Sequence, residues 1–122
     1  MTAAKSNTPV PGRPVRGSRT GRPVMALLDL LGRRWALRVL WELRDGRPAT
    51  FRELQARCGE LSSSVLNDRL GELREAAIVE SRSGGGYLLT PAGNELLGAL
   101  EPLDAWSKRW AVRRAGRSGQ TG

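Results

Sequence analysis

The chain has 122 residues, which predicts a single domain, and its 20 Lys and Arg against 12 Asp and Glu give a formal net charge of +8. It contains one cysteine, Cys58, and no histidine, which excludes an internal disulfide framework and removes the commonest metal ligand and general base. These totals predict a cytoplasmic protein without enzymatic activity, metal or cofactor, and they favour nucleic acid over an acidic membrane surface as the partner. No apolar run is long enough to span a bilayer.

Positive charge is concentrated at the two ends of the chain. Residues 1–23 and 108–122 each carry five basic residues and no acidic one, whereas residues 24–107 carry 10 basic and 12 acidic residues. The proline- and glycine-rich residues 1–21 cannot bury enough apolar surface to order themselves, which predicts a disordered basic tail. Such a tail is either solvated without a role or a phosphate-binding arm.

Three helices are predicted in the first half of the chain. The first begins at Pro23 and stops at Gly32, because proline suits the first helical position and glycine suits the end. The second, within residues 33–46, gathers its aliphatic side chains on one face. The third begins at Thr50 with Glu53 three residues later, which is the pattern of a capping box.

A fourth helix is predicted over residues 62–76, directly after a tight turn. Its apolar residues recur at spacings of four, three and four, which places them in one stripe. The stripe is formed by Leu66, Leu70, Leu73 and Ala77. The stripe is predicted to face the core, and the opposite side of the helix is predicted to face solvent.

A glycine-rich turn at residues 81–86 separates two short strands, and Thr90 and Pro91 open the last helix. Two short helices joined by a tight turn and followed by a hairpin predict a mainly α fold with a small β-hairpin wing, a winged helix-turn-helix. The DNA-binding and dimerisation domain is placed at residues 22–114, and a flexible C-terminal tail at residues 115–122.

Three stretches of the chain resemble the HxlR-type winged-helix regulators, relatives of the MarR group. They are "LLGRRWALRVLWEL", "TFRELQARCGELSSSVLNDRLGELREAAIVE" and "YLLTPAGNEL", the last followed by Trp106. The resemblance covers residues 23–107. It implies a homodimeric, sequence-specific DNA-binding transcription factor of bacteria, with a dimer built from the first and last helices.

Three positions depart from the pattern of that family. Thiol-sensing members carry a cysteine just before the proline that opens the first helix; this chain has Arg22 there, so their redox mechanism is not implied. The "SRSGGG" wing is shorter than in many members, and Trp41 stands where a basic residue is usual. Cys58 is interpreted as an inert buried thiol.

The outward side of the fourth helix is predicted to enter the major groove of DNA. Small side chains there let the backbone approach the bases, Asn67 suits adenine, and Asp68 suits the amino group of cytosine. Arg69 lies at the flank of the helix, where it either grips phosphate or pairs with an acid. The predicted contacts are Ser62, Ser63, Ser64, Asn67, Asp68, Arg69 and Gly71.

In the wing, Ser81, Arg82 and Ser83 are predicted to meet the adjacent minor groove or its phosphates. Plainer interpretations stay open, in which the serines of the fourth helix only cap and solubilise it and Arg82 is a solvated side chain. Two other functions also stay open: a non-specific basic nucleic-acid binder and a winged-helix module for protein interaction.

The last helix has an apolar seam suited to another helix, with Leu96, Ala99, Leu103, Trp106 and Trp110 at spacings of three and four. Packing on its own domain is the alternative to a dimer. The predicted dimer interface consists of Leu27, Leu96, Leu103, Trp106 and Trp110. Trp41 either joins this interface or lines a pocket for a small-molecule effector together with Trp106. Pro102 predicts a kink in the helix.

Overall fold

The computed structural model describes residues 7–59 and 61–120. Its elements, in chain order, are α1 (Pro23–Leu31), α2 (Ala36–Glu42), α3 (Phe51–Arg57), α4 (Ser63–Glu75), β1 (Val79–Ser81), β2 (Tyr87–Leu89) and α5 (Pro91–Gln120). Four helices, a two-stranded antiparallel hairpin and a long last helix confirm the predicted winged helix-turn-helix. Within the described residues, no helix has both the length and the apolar character needed to cross a membrane.

Leucine side chains from α2, α3 and α4 form the centre of the core. The three leucines of the α4 stripe are at most 2% exposed, and they share one apolar cluster with Val39 and Leu40 of α2. Full burial of each such side chain contributes about 1.5–3 kcal/mol. This packing fixes which face of α4 is turned inward and leaves the other face in solvent.

The predicted apolar stripe is wrong at its fourth member, Ala77. This residue is exposed because α4 ends at Glu75, and its backbone is left-handed, with φ +62°. The backbone N–H of Ala77 donates to the carbonyl of Arg74 at 3.0 Å, and that of Ile78 donates to the carbonyl of Leu73 at 2.9 Å. This is the Schellman pattern, in which glycine is the usual left-handed residue. An alanine therefore occupies a strained position where the chain turns from α4 into the hairpin.

The hairpin pairs Val79 with Leu89 and Ser81 with Tyr87 in antiparallel register. Tyr87 also exchanges two backbone hydrogen bonds with Ala49, so the segment before α3 lies against the second strand. The predicted N-cap of the last helix is confirmed, since the hydroxyl of Thr90 accepts from the backbone N–H of Gly93 at 3.0 Å.

The last helix is longer than predicted. It runs from Pro91 to Gln120, and Pro102 does not end it. The helix therefore continues past the predicted domain end at residue 114 and into the predicted C-terminal tail of residues 115–122, as far as Gln120. Adding residues to an existing helix requires no new nucleation, which explains how a glycine-containing end stays helical. Residues 121 and 122 lie outside the described residues.

Residues 7–22, most of which belong to the predicted disordered tail of residues 1–21, contact the folded domain. Thr8 is buried, and Nη1 of Arg13 lies 3.1 Å from Oε2 of Glu75 on α4. The segment has little apolar surface of its own. It is held by polar contacts with the folded domain, and composition alone cannot predict such contacts. Residues 1–6 of the predicted tail lie outside the described residues.

The strained alanine after α4 gives a stability prediction. Ala77→Gly is expected to raise the free energy of unfolding by roughly 0.5–1 kcal/mol, because relief of the left-handed strain exceeds the added entropy of the unfolded chain. Denaturant unfolding followed by circular dichroism measures the change. Ala76→Gly is the matched control: Ala76 has φ −79°, so glycine relieves no strain there and should lower stability. A loss of stability in both variants would contradict the prediction.

Candidate nucleic-acid interface

Polar side chains fix the start of α3 and the turn between α3 and α4. Thr50 and Glu53 form the predicted capping box at the start of α3. Nε2 of Gln55 donates to the carbonyl of Leu61 at 2.8 Å and to the hydroxyl of Ser63 at 3.0 Å. These bonds close the turn and set the angle at which α4 leaves α3.

The three consecutive serines at the start of α4 have different surroundings. Ser62 is the N-cap, and its hydroxyl accepts from the backbone N–H of Val65 at 3.3 Å. Ser63 is engaged by Gln55. Ser64 is exposed, and its side chain forms no hydrogen bond to any described residue. Capping therefore accounts for one serine and turn closure for the second, but neither accounts for the third.

Four exposed residues of α4 lie opposite its leucine stripe; we call them the reading face. They are Ser64, Asn67, Asp68 and Gly71. Among the described residues, none of these side chains has a hydrogen-bond or ion-pair partner, and a Cβ added at Gly71 would meet no atom within 4 Å. The face is small, polar and unobstructed, as a helix that lies deep in a DNA groove requires.

Arg69 does not belong to the reading face. Its side chain is only 16% exposed, and Nη1 lies 3.2 Å from Oε1 of Glu72. Its Nε atom is buried and has no hydrogen-bond partner among the described residues. Of the two roles predicted for Arg69, the structure therefore shows pairing with an acid. The (i, i+3) spacing of Arg69 and Glu72 could have identified this partner.

Glu72 also accepts from a residue far away in the sequence. Nη1 of Arg33, in the loop after α1, lies 2.7 Å from Oε2 of Glu72. Nη2 of the same arginine donates to the carbonyl of Asn7 at 2.7 Å. Arg33 thereby links α4 to the N-terminal segment. Sequence analysis missed this contact because residues 39 positions apart give no periodic signal.

The predicted wing residues Ser81, Arg82 and Ser83 are all exposed. The tip is closed by backbone bonds of 2.9 Å between Arg82 and Gly86 and between Gly85 and Arg82. Gly85 and Gly86 have φ +97° and +99°, so this turn requires glycine at both positions. A shallow depression separates the wing from α4, lined by Gly71, Arg74, Glu75, Val79, Glu80 and Ser81.

The residues predicted to form a dimer interface fall into two groups. Leu27 and Leu96 are partly buried against the domain's own core. Leu103, Trp106 and Trp110 are about half exposed, and the two tryptophan rings stack with centroids 5.7 Å apart. Sequence analysis missed two further exposed apolar side chains on α1, Val24 and Leu28. Unpartnered apolar surface is thus present on both terminal helices.

Trp41 and Trp106, the residues predicted for an effector pocket, have separate surroundings. The guanidinium of Arg44 lies 4.2 Å from the centroid of the Trp41 ring, an arrangement that favours a cation–π interaction. Trp106 stacks on Trp110. No ring contact joins Trp41 to Trp106 in the described part of the chain, so a pocket between them stays a prediction.

Cys58 is buried at the end of α3, with 2% of its surface exposed. Burial raises the pKa of its thiol, the nearby Glu42 carboxylate raises that pKa further, and Arg38 opposes them. The protonated thiol is favoured at neutral pH, and a protonated thiol is a poor nucleophile. This agrees with the interpretation of Cys58 as an inert core residue.

Comparison with known proteins gives consistent results. The family model described as HxlR-like helix-turn-helix matches residues 30–115. The uncharacterised transcriptional regulator YvaP of Bacillus subtilis is 30% identical over 89 residues, which cover 68% of this chain and 82% of YvaP. The crystal structure of quinone-bound YodB from Bacillus subtilis matches with a TM-score of 0.66 and 31% identity, covering 70% of this chain and 94% of YodB.

A further match is the crystal structure of a possible HxlR family transcriptional factor from Thermoplasma volcanium. It has a TM-score of 0.63 and 27% identity, covering 73% of this chain and 84% of that one. The part of the chain that the family model matches contains α2 to β2, and therefore both the reading face and the wing.

Proposed function

The chain belongs to the HxlR-like helix-turn-helix family and is a DNA-binding transcriptional regulator, and from this premise we propose that it recognises a specific DNA sequence as a homodimer. In this proposal α4 lies in the major groove and the wing lies on the adjacent minor groove or backbone. A dimer would bind two inverted half-sites roughly one helical turn apart.

The observation that carries the proposal is the open reading face of α4. Helix-turn-helix proteins place the N-terminal part of the second helix against base edges. The polar side chains there have no partner among the described residues and are free to bind DNA. We assign Asn67 to a bidentate contact with adenine, Asp68 to the amino group of cytosine, and Ser64 to a phosphate.

The wing supplies a second contact in this proposal. Arg82 is exposed at the hairpin tip and forms no ion pair with a described acid. An arginine in this position suits the narrow, electronegative minor groove. In this proposal, the depression between the wing and α4 faces the DNA backbone that runs between the two grooves.

The dimer contact is assigned to the exposed apolar side chains of α1 and α5. Leu103, Trp106 and Trp110 form a seam on one side of α5, and Val24 and Leu28 supply apolar surface on α1. Covering this surface with a second copy would remove it from water and stabilise the dimer.

A small-molecule effector is also part of the proposal. YodB of Bacillus subtilis, to which this chain is similar, has been crystallised with a bound quinone. The half-exposed rings of Trp41 and Trp106 offer flat surfaces to an aromatic ligand. Arg22 stands where thiol-sensing relatives have a cysteine, so an effector here is assigned to non-covalent binding.

Gly71→Leu tests the fit of α4 into the groove. The variant should fold, because the position is open and leucine is the better helix former. It should lose binding to a duplex selected from a random pool with the wild-type protein, since leucine would hold the helix out of the groove. Fluorescence anisotropy measures binding, and Gly71→Ala is the matched control with only a methyl group. A folded Gly71→Leu protein with wild-type affinity would overturn the placement of α4.

Asn67→Ala tests base reading separately from backbone contact. It should cost roughly 1–3 kcal/mol on the selected duplex, relax the preference at one base pair, and leave binding to random DNA nearly unchanged. Ser64→Ala should instead weaken selected and random duplexes alike, because a phosphate contact carries no sequence information. Equal losses on both duplexes for Asn67→Ala would favour non-specific binding.

Trp110→Glu tests the dimer contact. A carboxylate buried in an apolar interface is unfavourable, so the variant should be monomeric in sedimentation velocity at concentrations where the wild type is a dimer. Val112→Glu is the matched control, because Val112 is exposed on the opposite side of α5 and should leave the dimer intact. An unchanged dimer for Trp110→Glu would place the interface elsewhere.

A further inference from the structure

The N-terminal residues 7–22, which we call the arm, lie outside the part of the chain that the family model matches, since that match begins at residue 30. The arm contains four arginines and no acidic residue. It is docked at three places: the carbonyl of Asn7 accepts from Arg33, the backbone N–H of Arg16 donates to Asp29 of α1 at 3.2 Å, and Arg13 pairs with Glu75 of α4. It is therefore a folded feature that the family match does not explain.

The charge of α4 presents a difficulty for DNA binding. Between Ser63 and Glu75 the helix carries three acids and two arginines, which gives it one net negative charge. Glu72 is balanced by Arg33 and Arg69 at 2.7 and 3.2 Å. Glu75 follows Gly71 by four residues, so it lies on the same side of the helix as the reading face. A carboxylate there would repel a DNA phosphate unless a cation is held beside it.

The arm holds such a cation at this point. Nη1 of Arg13 lies 3.1 Å from Oε2 of Glu75 and donates to the carbonyl of Thr8 at 3.0 Å. The Arg13 side chain is still 42% exposed. A guanidinium has five N–H donors, and both of these contacts use Nη1. The remaining donors belong to an anchored side chain at the edge of the reading face.

We propose that the arm is a second DNA-binding element, in which Arg13 neutralises Glu75 and donates to a phosphate of the DNA backbone beside α4. The proposal rests on the proposed function of α4. Arginine suits this double task because its planar fork can bind a carboxylate on one edge and a phosphate on another. Docking on α4 would also hold Arg13 in place before DNA arrives, which lowers the entropy lost on binding.

The test measures how the affinity of the full-length protein for a random-sequence duplex depends on salt. Each lost phosphate contact should make the slope of log K against log salt shallower by about 0.9, hence by about 1.8 for a dimer of Arg13→Gln. Arg13→Lys keeps the charge and should retain most of the slope. Arg19→Gln is the matched control, since it removes the same charge from the arm at an exposed position with no described contact to α4.

Glu75→Gln and the double variant separate phosphate contact from simple neutralisation. In Arg13→Gln/Glu75→Gln the carboxylate that Arg13 neutralised is gone, so affinity should recover in part, but the slope should stay shallow because the phosphate contact is still missing. Thermal unfolding should show all variants folded, since a half-exposed ion pair adds little to stability.

Three results would overturn the proposal. One is a wild-type slope for Arg13→Gln, and another is an equal change for Arg19→Gln, which would show a general effect of net charge. The third is a wild-type slope in the double variant, which would show that Arg13 only neutralises the Glu75 carboxylate and does not contact a phosphate. If the wild-type protein bound no DNA, or if Gly71→Leu bound like the wild type, the proposed function would fail instead.

Discussion

The hydroxyl of Thr90 joins the three parts of this protein that must keep a fixed geometry. Its single O–H lies between the carbonyls of Ala77 and Ile78, at 2.7 and 3.1 Å, and its oxygen caps α5 by accepting from the N–H of Gly93. Those two carbonyls lie where α4 ends and β1 begins. One side chain thus ties the end of α4, the start of the wing and the long last helix together. Without it, backbone carbonyls at this junction would lose a hydrogen-bond partner.

Close packing at the same junction leaves little freedom for reorientation. A Cβ at Gly93 would collide with the carbonyl of Ile78. The backbone of α5 therefore packs directly against the start of the hairpin, with no space for a side chain between them. If α5 forms the dimer contact, its angle to α4 sets the distance between the two reading helices. A small rotation here would be amplified along a 30-residue helix. The spacing of half-sites is, on this proposal, decided at residues that touch neither DNA nor the partner subunit.

The sequence predicted those features of the fold that depend on side-chain periodicity or on helix capping. The leucine stripe of α4, the capping box of Thr50 and Glu53, and the Thr90 cap were all found correctly, because each is a pattern within a few residues. The contact between Arg33 and Glu72 and the docking of the arm were not found, because they depend on which surfaces the fold brings together. The same limit applies to α5, where spacing identified an apolar seam but could not show that Leu96 faces the core while Trp106 and Trp110 face solvent.

The distribution of charge gives a physical reason for the contact between the arm and α4. Residues 24–107 have two more acids than bases, so the central part of the chain supplies no net attraction for DNA. Small polar groups on α4 can distinguish bases but contribute little long-range attraction, whereas arginines attract phosphate without reading sequence. A chain that separates these tasks has to bring them together in space. The ion pair between Arg13 and Glu75 does so, because it joins the basic end of the chain to α4, the helix proposed to contact the bases.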